Sequence, residues 1–356
     1  MSVRSVAGLR VIQPGLHTTV QDLGRIGSQR LGIPVSGALD PIALRAANVI
    51  VGNPQGMAGL EIAVLGPVLE VATPSVRVAI AGEGARLTVQ RPDGAQREVS
   101  ALESIRLVEG DRLRVAAATV SAVAYLAIEC GLALPPFLDS LSTYVRGGFG
   151  GVEGRALTAG DVLPLAQHEA ASRQEMRLPG MDLTPASEIR VVLGPQDDYF
   201  SAAAIAAFLS TPYIVTQDAD RMGLRLEGQR LEHAKGYNIV SDGIAPGSIQ
   251  VPGSGQPIVL LADRQTTGGY PKIATVASAD LAALGRVRPG MALRFRSVSV
   301  SEAQAARRAL EGRMAGLAGN LVAVRPEGPD LERLYDANLV SGVAHAHDHA
   351  TWRHHP

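Results

Sequence analysis

One turn-and-strand unit recurs three times in this chain. Glu109-Gly110-Asp111-Arg112-Leu113, Ala159-Gly160-Asp161-Val162-Leu163 and Pro289-Gly290-Met291-Ala292-Leu293 each place a glycine in a tight turn just ahead of a strand-like run. Glycine supplies the left-handed backbone that such turns need. Further short runs rich in β-formers lie at 76–81, 86–90, 112–116 and 190–193, punctuated by Gly, Pro and Asp. Regular turn signals with few long helices predict a mainly β (α+β) chain built of barrel-like β domains. With 356 residues, 46% of them hydrophobic, there is enough chain for a sizeable core and two domains. The Pro- and Gly-bearing stretch at 179–185 sets the expected boundary, giving domains over 1–185 and 186–319.

Helices are few. Asp40 followed by Pro41 reads as an N-cap and first helical residue, with a helix over 42–51 stopped by Gly52-Asn53-Pro54. Asn53 is expected to take the left-handed conformation at that stop. The Ala-rich segment 198–209 can be helical, and Ser301-Glu302-Ala303-Gln304 reads as a capping box opening a helix to about Met314. Beyond it, 320–356 loses periodicity and ends in His345, His347, His349, His354 and His355. Alternating histidines can bind a divalent cation, but in a polar chain end a dispensable, disordered tail is expected, and no metal site is assigned.

Composition removes several function classes. Charged residues are 19% of the chain and the net charge is -1, so no basic surplus exists to hold nucleic acid. No apolar run reaches membrane-spanning length and the first residues lack a secretory apolar core, so a soluble cytoplasmic protein is expected. Cys130 is the only cysteine, which forbids an intrachain disulfide; its apolar surroundings predict a buried, inert thiol. Lys235 and Lys272 are the only lysines, and neither lies in a P-loop. Nor does either match the hairpin-tip lysine that carries biotin, or a Ser-Ser-Lys amidase. No Gly-x-Ser-x-Gly elbow occurs. The chain is therefore expected to carry no covalent biotin and no standard nucleotide or acyl-transfer site of its own.

Three blocks carry a resemblance. The first is Gln13-Pro14-Gly15-Leu16-His17-Thr18-Thr19-Val20-Gln21-Asp22-Leu23-Gly24-Arg25, continuing through Ile33-Pro34-Val35-Ser36-Gly37-Ala38-Leu39-Asp40 to Asn48, Gly52-Asn53 and Leu60-Glu61. The second is Thr143-Tyr144-Val145-Arg146-Gly147-Gly148-Phe149-Gly150-Gly151, then Gly154-Arg155-Ala156-Leu157 and Gly160-Asp161. The third is Asp220-Arg221-Met222-Gly223-Leu224-Arg225-Leu226, then Gly247-Ser248-Ile249-Gln250-Val251-Pro252, then Leu260-Leu261-Ala262-Asp263-Arg264-Gln265-Thr266-Thr267-Gly268-Gly269-Tyr270-Pro271. From about residue 9 to 300 the chain resembles the biotin-dependent carboxyltransferase family, also labelled allophanate hydrolase subunit 2. Two departures stand out: Glu129-Cys130 replaces an expected Gly-Gly pair, and Leu141 replaces an arginine between two serines.

The resemblance implies cyclophilin-like β-barrel domains and a smaller B-type partner. Within the family, the leading expectation is the C-type subunit of an ATP-dependent 5-oxoprolinase, acting with A-type and B-type subunits to open the lactam of 5-oxoproline to glutamate. Such a subunit is expected to be inactive alone, with ATP used by the complex at a site not identifiable in this chain. Two other readings share the same motifs. One is the carboxyltransferase part of a biotin-dependent urea or amide carboxylase. The other is a regulatory protein that binds a kinase inhibitor resembling the B-type partner.

The motif residues suggest how a small amide or lactam would be held. Gly268 and Gly269 let the backbone approach a ligand, and their exposed N–H groups can form an anion nest. Gln265, Thr266, Thr267 and Gln250 add hydrogen-bonding groups, and Tyr270 can cap a small planar ring. The alternative is a plain β-turn between strands at 259–261 and 273–276. Arg221, Arg225 and Arg146 offer guanidinium forks for a carboxylate, carbamate or phosphate, or else surface ion pairs. Gln21, Asp22 and Arg25 crowd one turn and either bind substrate or hold that turn together. Asp263 and Glu61 are the candidate catalytic carboxylates.

Overall fold

A computed structural model describes residues 7–116 and 119–324; the histidine-rich segment lies outside them. The first half stacks two antiparallel sheets. One has six strands, in the order Val162–Pro164, Gly8–Gln13, Val68–Ala72, Arg112–Val115, Arg86–Gln90, Gln96–Ser100. The other has five: His17–Gln21, Gly59–Ala63, Val123–Ile128, Ser75–Ala81, Ser104–Val108. Leu69, Val71, Leu87 and Leu113 of the first sheet meet Val78, Ile80, Leu126 and Ile128 of the second in one core. The first half is thus a β domain of two stacked sheets. The expected turn unit recurs with its glycines in the left-handed region, Gly110 at φ 85°, Gly160 at 92° and Gly290 at 88°.

The five-stranded sheet is buried on both faces, which explains its unbroken apolar runs. Leu126 and Ile128 face the other sheet, while Val123, Tyr125 and Ala127 pack under helix α1 (Pro41–Ile50). As expected, Asp40 caps α1 by accepting from the N–H groups of Ile42 (3.0 Å) and Ala43 (3.1 Å). At the other end Gly52 takes the left-handed turn (φ 76°), not Asn53. Asn53 is buried instead, donating to Ile128 O (2.8 Å) and accepting from Cys130 N (2.8 Å). That bond fixes a turn in which Cys130 adopts φ 61° and leaves the strand, so its thiol is exposed rather than buried. Glu129, the other departure, pairs with buried Arg77 at 2.9 Å and with Arg173 at 3.1 Å.

The second half is a closed seven-stranded barrel. Its order is Glu188–Leu193, Lys272–Val276, Ser248–Gln250, Ile258–Leu260, Gly223–Glu227, Tyr213–Val215, Ala292–Ser297, sealed by a parallel pairing of first and last. Helix α2 (Ala202–Ser210) starts at the Ser201 cap and packs Phe208 on Phe295, ring centroids 4.7 Å apart. The short helix α3 (Leu281–Gly285) lies over the junction with the first half; a Cβ on Gly285 would sit 2.3 Å from Leu39 O. Among the described residues no helix is long and apolar enough to cross a membrane.

The cap of helix α4 (Val300–Ala315) lies two residues before the expected one. Ser299 is the cap, and its N–H and Oγ exchange bonds with Glu302, because the Ser-x-x-Glu spacing falls at 299–302. Leu310, Met314 and Leu317 then pack with α1, and Gln55 donates to Met314 O at 2.6 Å. By packing, α4 belongs to the helix layer over the first half. The chain next pairs Val322–Ala323 with Met176–Arg177, and Val324 N donates to Glu175 O at 2.8 Å. The segment just past residue 320 is therefore docked, contrary to the expectation of a free tail from that point. Truncation after Gly319 should lower stability by about 1–2 kcal/mol through the lost ladder and the lost packing of Leu321, read as a melting temperature below that of a truncation after Val324. Equal melting temperatures for the two truncations would show that the docking contributes nothing.

Candidate functional site

Three segments meet where the halves join: the strap 35–40, the strand Gly59–Ala63 and the turn ahead of Gly223–Glu227. Glu61 lies opposite Tyr125 in the strand register, and Tyr125 donates to Glu61 Oε2 at 2.5 Å. Leu39 N donates to the same oxygen at 2.9 Å. Glu61 Oε1 accepts from Arg221 Nη1. Arg221 also donates to both oxygens of Asp263, at 2.9 and 3.2 Å, and to Gly37 O at 2.6 Å. Burial pulls down the pKa of Arg221, but Glu61 and Asp263 outweigh it and hold the guanidinium well above its usual value. Burial, reinforced by the charge on Glu61, pushes the Tyr125 hydroxyl well above the usual tyrosine range. A second ion pair, Arg286 with Asp40 at 2.6 Å, closes the same junction.

The expected catalytic carboxylates and Arg221 are thus brought together, each satisfied by the others. Asp263 and Arg221 line a mainly apolar cavity of about 510 Å³ at the junction. Glu61 contributes to it only through Arg221.

Gln21, Asp22 and Arg25 organise the loop 137–151. Asp22 accepts from Ser140 Oγ, Leu141 N and Gly24 N, each at 2.7 Å, and from Ser142 Oγ. The replacement of arginine by Leu141 leaves this backbone bond intact. Gln21 donates to Thr143 O at 3.1 Å. Arg25 is 1% exposed, lies 5.0 Å from the centre of the Phe149 ring and donates to Ser142 O. Burial draws its pKa down, against the pull of Asp22 and Asp263. These contacts place Arg146, on a 3₁₀ turn (Val145–Gly147), across from Asp220 at 3.4 Å.

Arg146 and Asp220 stand at the rim of a second space, an open cleft of about 720 Å³ on the barrel face. Arg225, Gln250, Gln265 and Tyr270 line it, with the carboxylates of Asp218 and Glu227. Five of the expected binding residues, Arg146, Arg225, Gln250, Gln265 and Tyr270, therefore share one cavity. The two glutamines are loosely tied: Gln265 Nε2 is 3.4 Å from Gln250 Oε1, and Gln250 Nε2 is 3.5 Å from Tyr270 O. Bonds this long leave both amides able to turn toward a ligand.

The glycine loop is built differently from the expected nest. Gly268 and Gly269 are absent from the left-handed region, and Thr267–Gly268 pairs as a strand with Asp242–Gly243. Thr266 O accepts from Ile244 N (3.0 Å) and Gly269 O from Ile239 N (2.9 Å), so the segment is extended and its polar backbone serves the 239–244 loop. Nor is it a plain turn, because Ser248–Gln250 lies between the flanking strands Ile258–Leu260 and Lys272–Val276. Gly268 is needed for space: a Cβ there would come within 2.7 Å of Gln250 Nε2 and of Ile244. Thr266, Thr267 and Gly269 do not line the cleft.

Sequence reasoning missed Lys272, Arg264 and Arg286. Lys272 is 2% exposed and reaches Asp242 at 2.8 Å, opposite Gln250 in register. A single basic residue in an apolar strand was the signal for it; no local signal marked Arg286. Among the described residues no cluster of His, Cys, Asp and Glu could hold a metal ion.

Known proteins share this architecture. The family model of the carboxyltransferase domain, subdomain A and B, matches residues 31–297. The 5-oxoprolinase C subunit of Escherichia coli is 38% identical over 300 residues, covering 84% of this chain and 94% of that protein. The same-named protein of Haemophilus influenzae is 37% identical, covering 82% and 92%. Among solved structures, the urea amidolyase of K. lactis superposes with a TM-score of 0.81 at 29% identity over 93% of this chain, which spans only 22% of that protein. The chain belongs to the family of the carboxyltransferase domain, subdomains A and B.

Proposed function

We propose that this chain is the C subunit of an ATP-dependent 5-oxoprolinase, working with A- and B-type subunits to open 5-oxoproline to glutamate. The observation that carries the reading is near-full-length similarity to two proteins of that name, 94% and 92% of which are covered. The urea amidolyase of Lachancea kluyveri is 32% identical and is matched over only 19% of its length.

The cleft suits such a substrate. 5-Oxoproline is a small ring bearing one carboxylate and one planar amide. Arg225 and Arg146 offer guanidinium groups to the carboxylate. Gln250 and Gln265 each carry a donor and an acceptor, which matches the N–H and C=O of a lactam. Tyr270, 41% exposed at the rim, offers a flat face to the ring. In this reading Glu61 and Asp263 are positioning groups: they hold Arg221 and, through it, the turn that brings Asp220 to Arg146.

Lactam opening to glutamate is uphill, so the complex needs ATP. The cleft does not fit a triphosphate, because Asp218, Asp220 and Glu227 stand beside its two arginines and leave no cationic surplus. In this reading the nucleotide binds outside this cleft. Lys272, buried and paired, is unsuited to carry biotin.

Two measurements test this. The chain co-expressed with its A- and B-type partners should release glutamate from 5-oxoproline only when ATP is added, and the isolated chain should release none. Turnover by the isolated chain, or a complex that instead carboxylates urea with carboxybiotin, would overturn the reading. Within the active complex, Arg225→Ala should raise KM for 5-oxoproline about tenfold or more, the usual loss for a bond to a charged group, with complex assembly intact. Thr267→Ala, outside the cleft, should leave KM unchanged. A wild-type KM in Arg225→Ala would remove the cleft as the binding site.

A further inference from the structure

A smaller cavity of about 130 Å³ lies between the strap and the barrel, with Leu260 as a wall shared with the cleft. Its walls are mainly apolar, with Leu39, Leu260, Leu261 and Leu281 among them, and two polar residues, Arg264 and Ser36, complete the lining. Both are buried, Arg264 at 1% exposure and Ser36 at 5%. Arg264 donates from Nε to Ile244 O (3.3 Å) and from Nη1 to Leu261 O (3.2 Å), and its Nη2 has no partner among the described residues. Ser36 Oγ is likewise without a partner among them.

Arg264 differs from the other buried arginines. Arg77, Arg221 and Arg286 each face a carboxylate, and Arg25, whose Nε and Nη1 are also without a partner among the described residues, lies against aromatic rings with Asp22 and Asp263 near enough to pull its pKa upward against burial. Arg264 has neither, and burial alone pushes its guanidinium down to about 10. That still leaves it charged at neutral pH. A buried cation without a counter-charge is strongly unfavourable, as is a buried hydroxyl without a bond. Ser36 also holds φ 55°, a conformation side chains rarely take, and its N–H is tied to Ala262 O at 3.1 Å. Two unsatisfied polar groups bordering one small cavity point to an occupant that is anionic and accepts hydrogen bonds.

We infer that this cavity binds a small oxyanion, the size of a carboxylate, bicarbonate or inorganic phosphate, on Arg264 and Ser36. The volume admits only a few heavy atoms, and the apolar walls exclude a larger hydrated ligand. Both unpartnered atoms are sealed from water, so engagement takes a rotation of the hydroxyl and the guanidinium toward the space they line. The strap also supplies Gly37 O to Arg221 and Leu39 N to Glu61, so an anion here would brace the junction of the two halves. The inference does not depend on the substrate of the cleft.

Thermal melting of the full chain should be followed in sodium acetate, bicarbonate and inorganic phosphate, each titrated at constant ionic strength against chloride. A ligand of the folded state alone raises the melting temperature in a saturable way. At least one of the three should do so, and comparing the three titrations identifies the anion. Arg264→Met fills similar space without the charge and should weaken that response about tenfold or more, the effect expected for a lost charge-assisted bond. Ser36→Ala should weaken it several-fold. Should Arg264→Met fail to fold, Ser36→Ala and the cavity-filling Ala38→Leu carry the test, the latter abolishing the response. No saturable response to any anion, or an unchanged midpoint in these variants, would overturn the site.

Discussion

Arg221 is the group on which the arrangement of the two halves depends. It comes from the barrel, yet it bonds Glu61 of the sandwich, Gly37 O of the strap and Asp263 of the barrel itself. Two carboxylates exposed at only 3% and 7% are tolerable only because this cation stands between them. Tyr125 and Leu39 N take the remaining oxygen of Glu61. The cluster therefore has little spare hydrogen-bonding capacity and a single arrangement that satisfies it. Asp40 and Arg286 repeat the principle on a smaller scale, and Gly285 lets the helix end come close enough for both.

From that junction the open cleft follows. The Asp220 side chain accepts from Met222 N and Gly223 N and so shapes the turn that carries Arg221. Arg146 arrives from the other half on a loop fixed by Asp22, Gln21 and Arg25. Most of the polar residues in the three motif blocks thus build the frame, while Arg225, Gln265 and Tyr270, with the buried Gln250 behind them, line the open cleft. A frame of buried ion pairs stands beside a cleft of loosely held amides.

Much of the local structure was legible in the sequence because it is set by near neighbours. The recurrent glycine turns, the Asp40 cap and the strand at 86–90 follow from backbone preference and side-chain type. The α4 cap was displaced by two residues because Ser299 and Ser301 both precede Glu302 and only the first has the right spacing. What long-range partners decide was hidden. Glu61 and Arg221 are 160 residues apart, and nothing local marks Glu61 as a framework carboxylate rather than a free base. The nest at Gly268 and Gly269 failed for a similar reason: the distant 239–244 loop claims that backbone as an extended partner. Cys130 looked buried because its apolar run is a strand, and the strand ends two residues before it.

If Arg221 joins the halves and is not a free ligand-binding cation, its loss must be felt in stability and through Glu61. Urea unfolding of Arg221→Met, Glu61→Leu and the double variant measures this directly. Arg221→Met should cost about 3–5 kcal/mol by stranding two buried carboxylates, Glu61→Leu should cost less because Asp263 still faces Arg221, and the double variant should lose clearly less than the sum. An Arg221→Met chain as stable as the wild type, or strictly additive losses, would contradict this role.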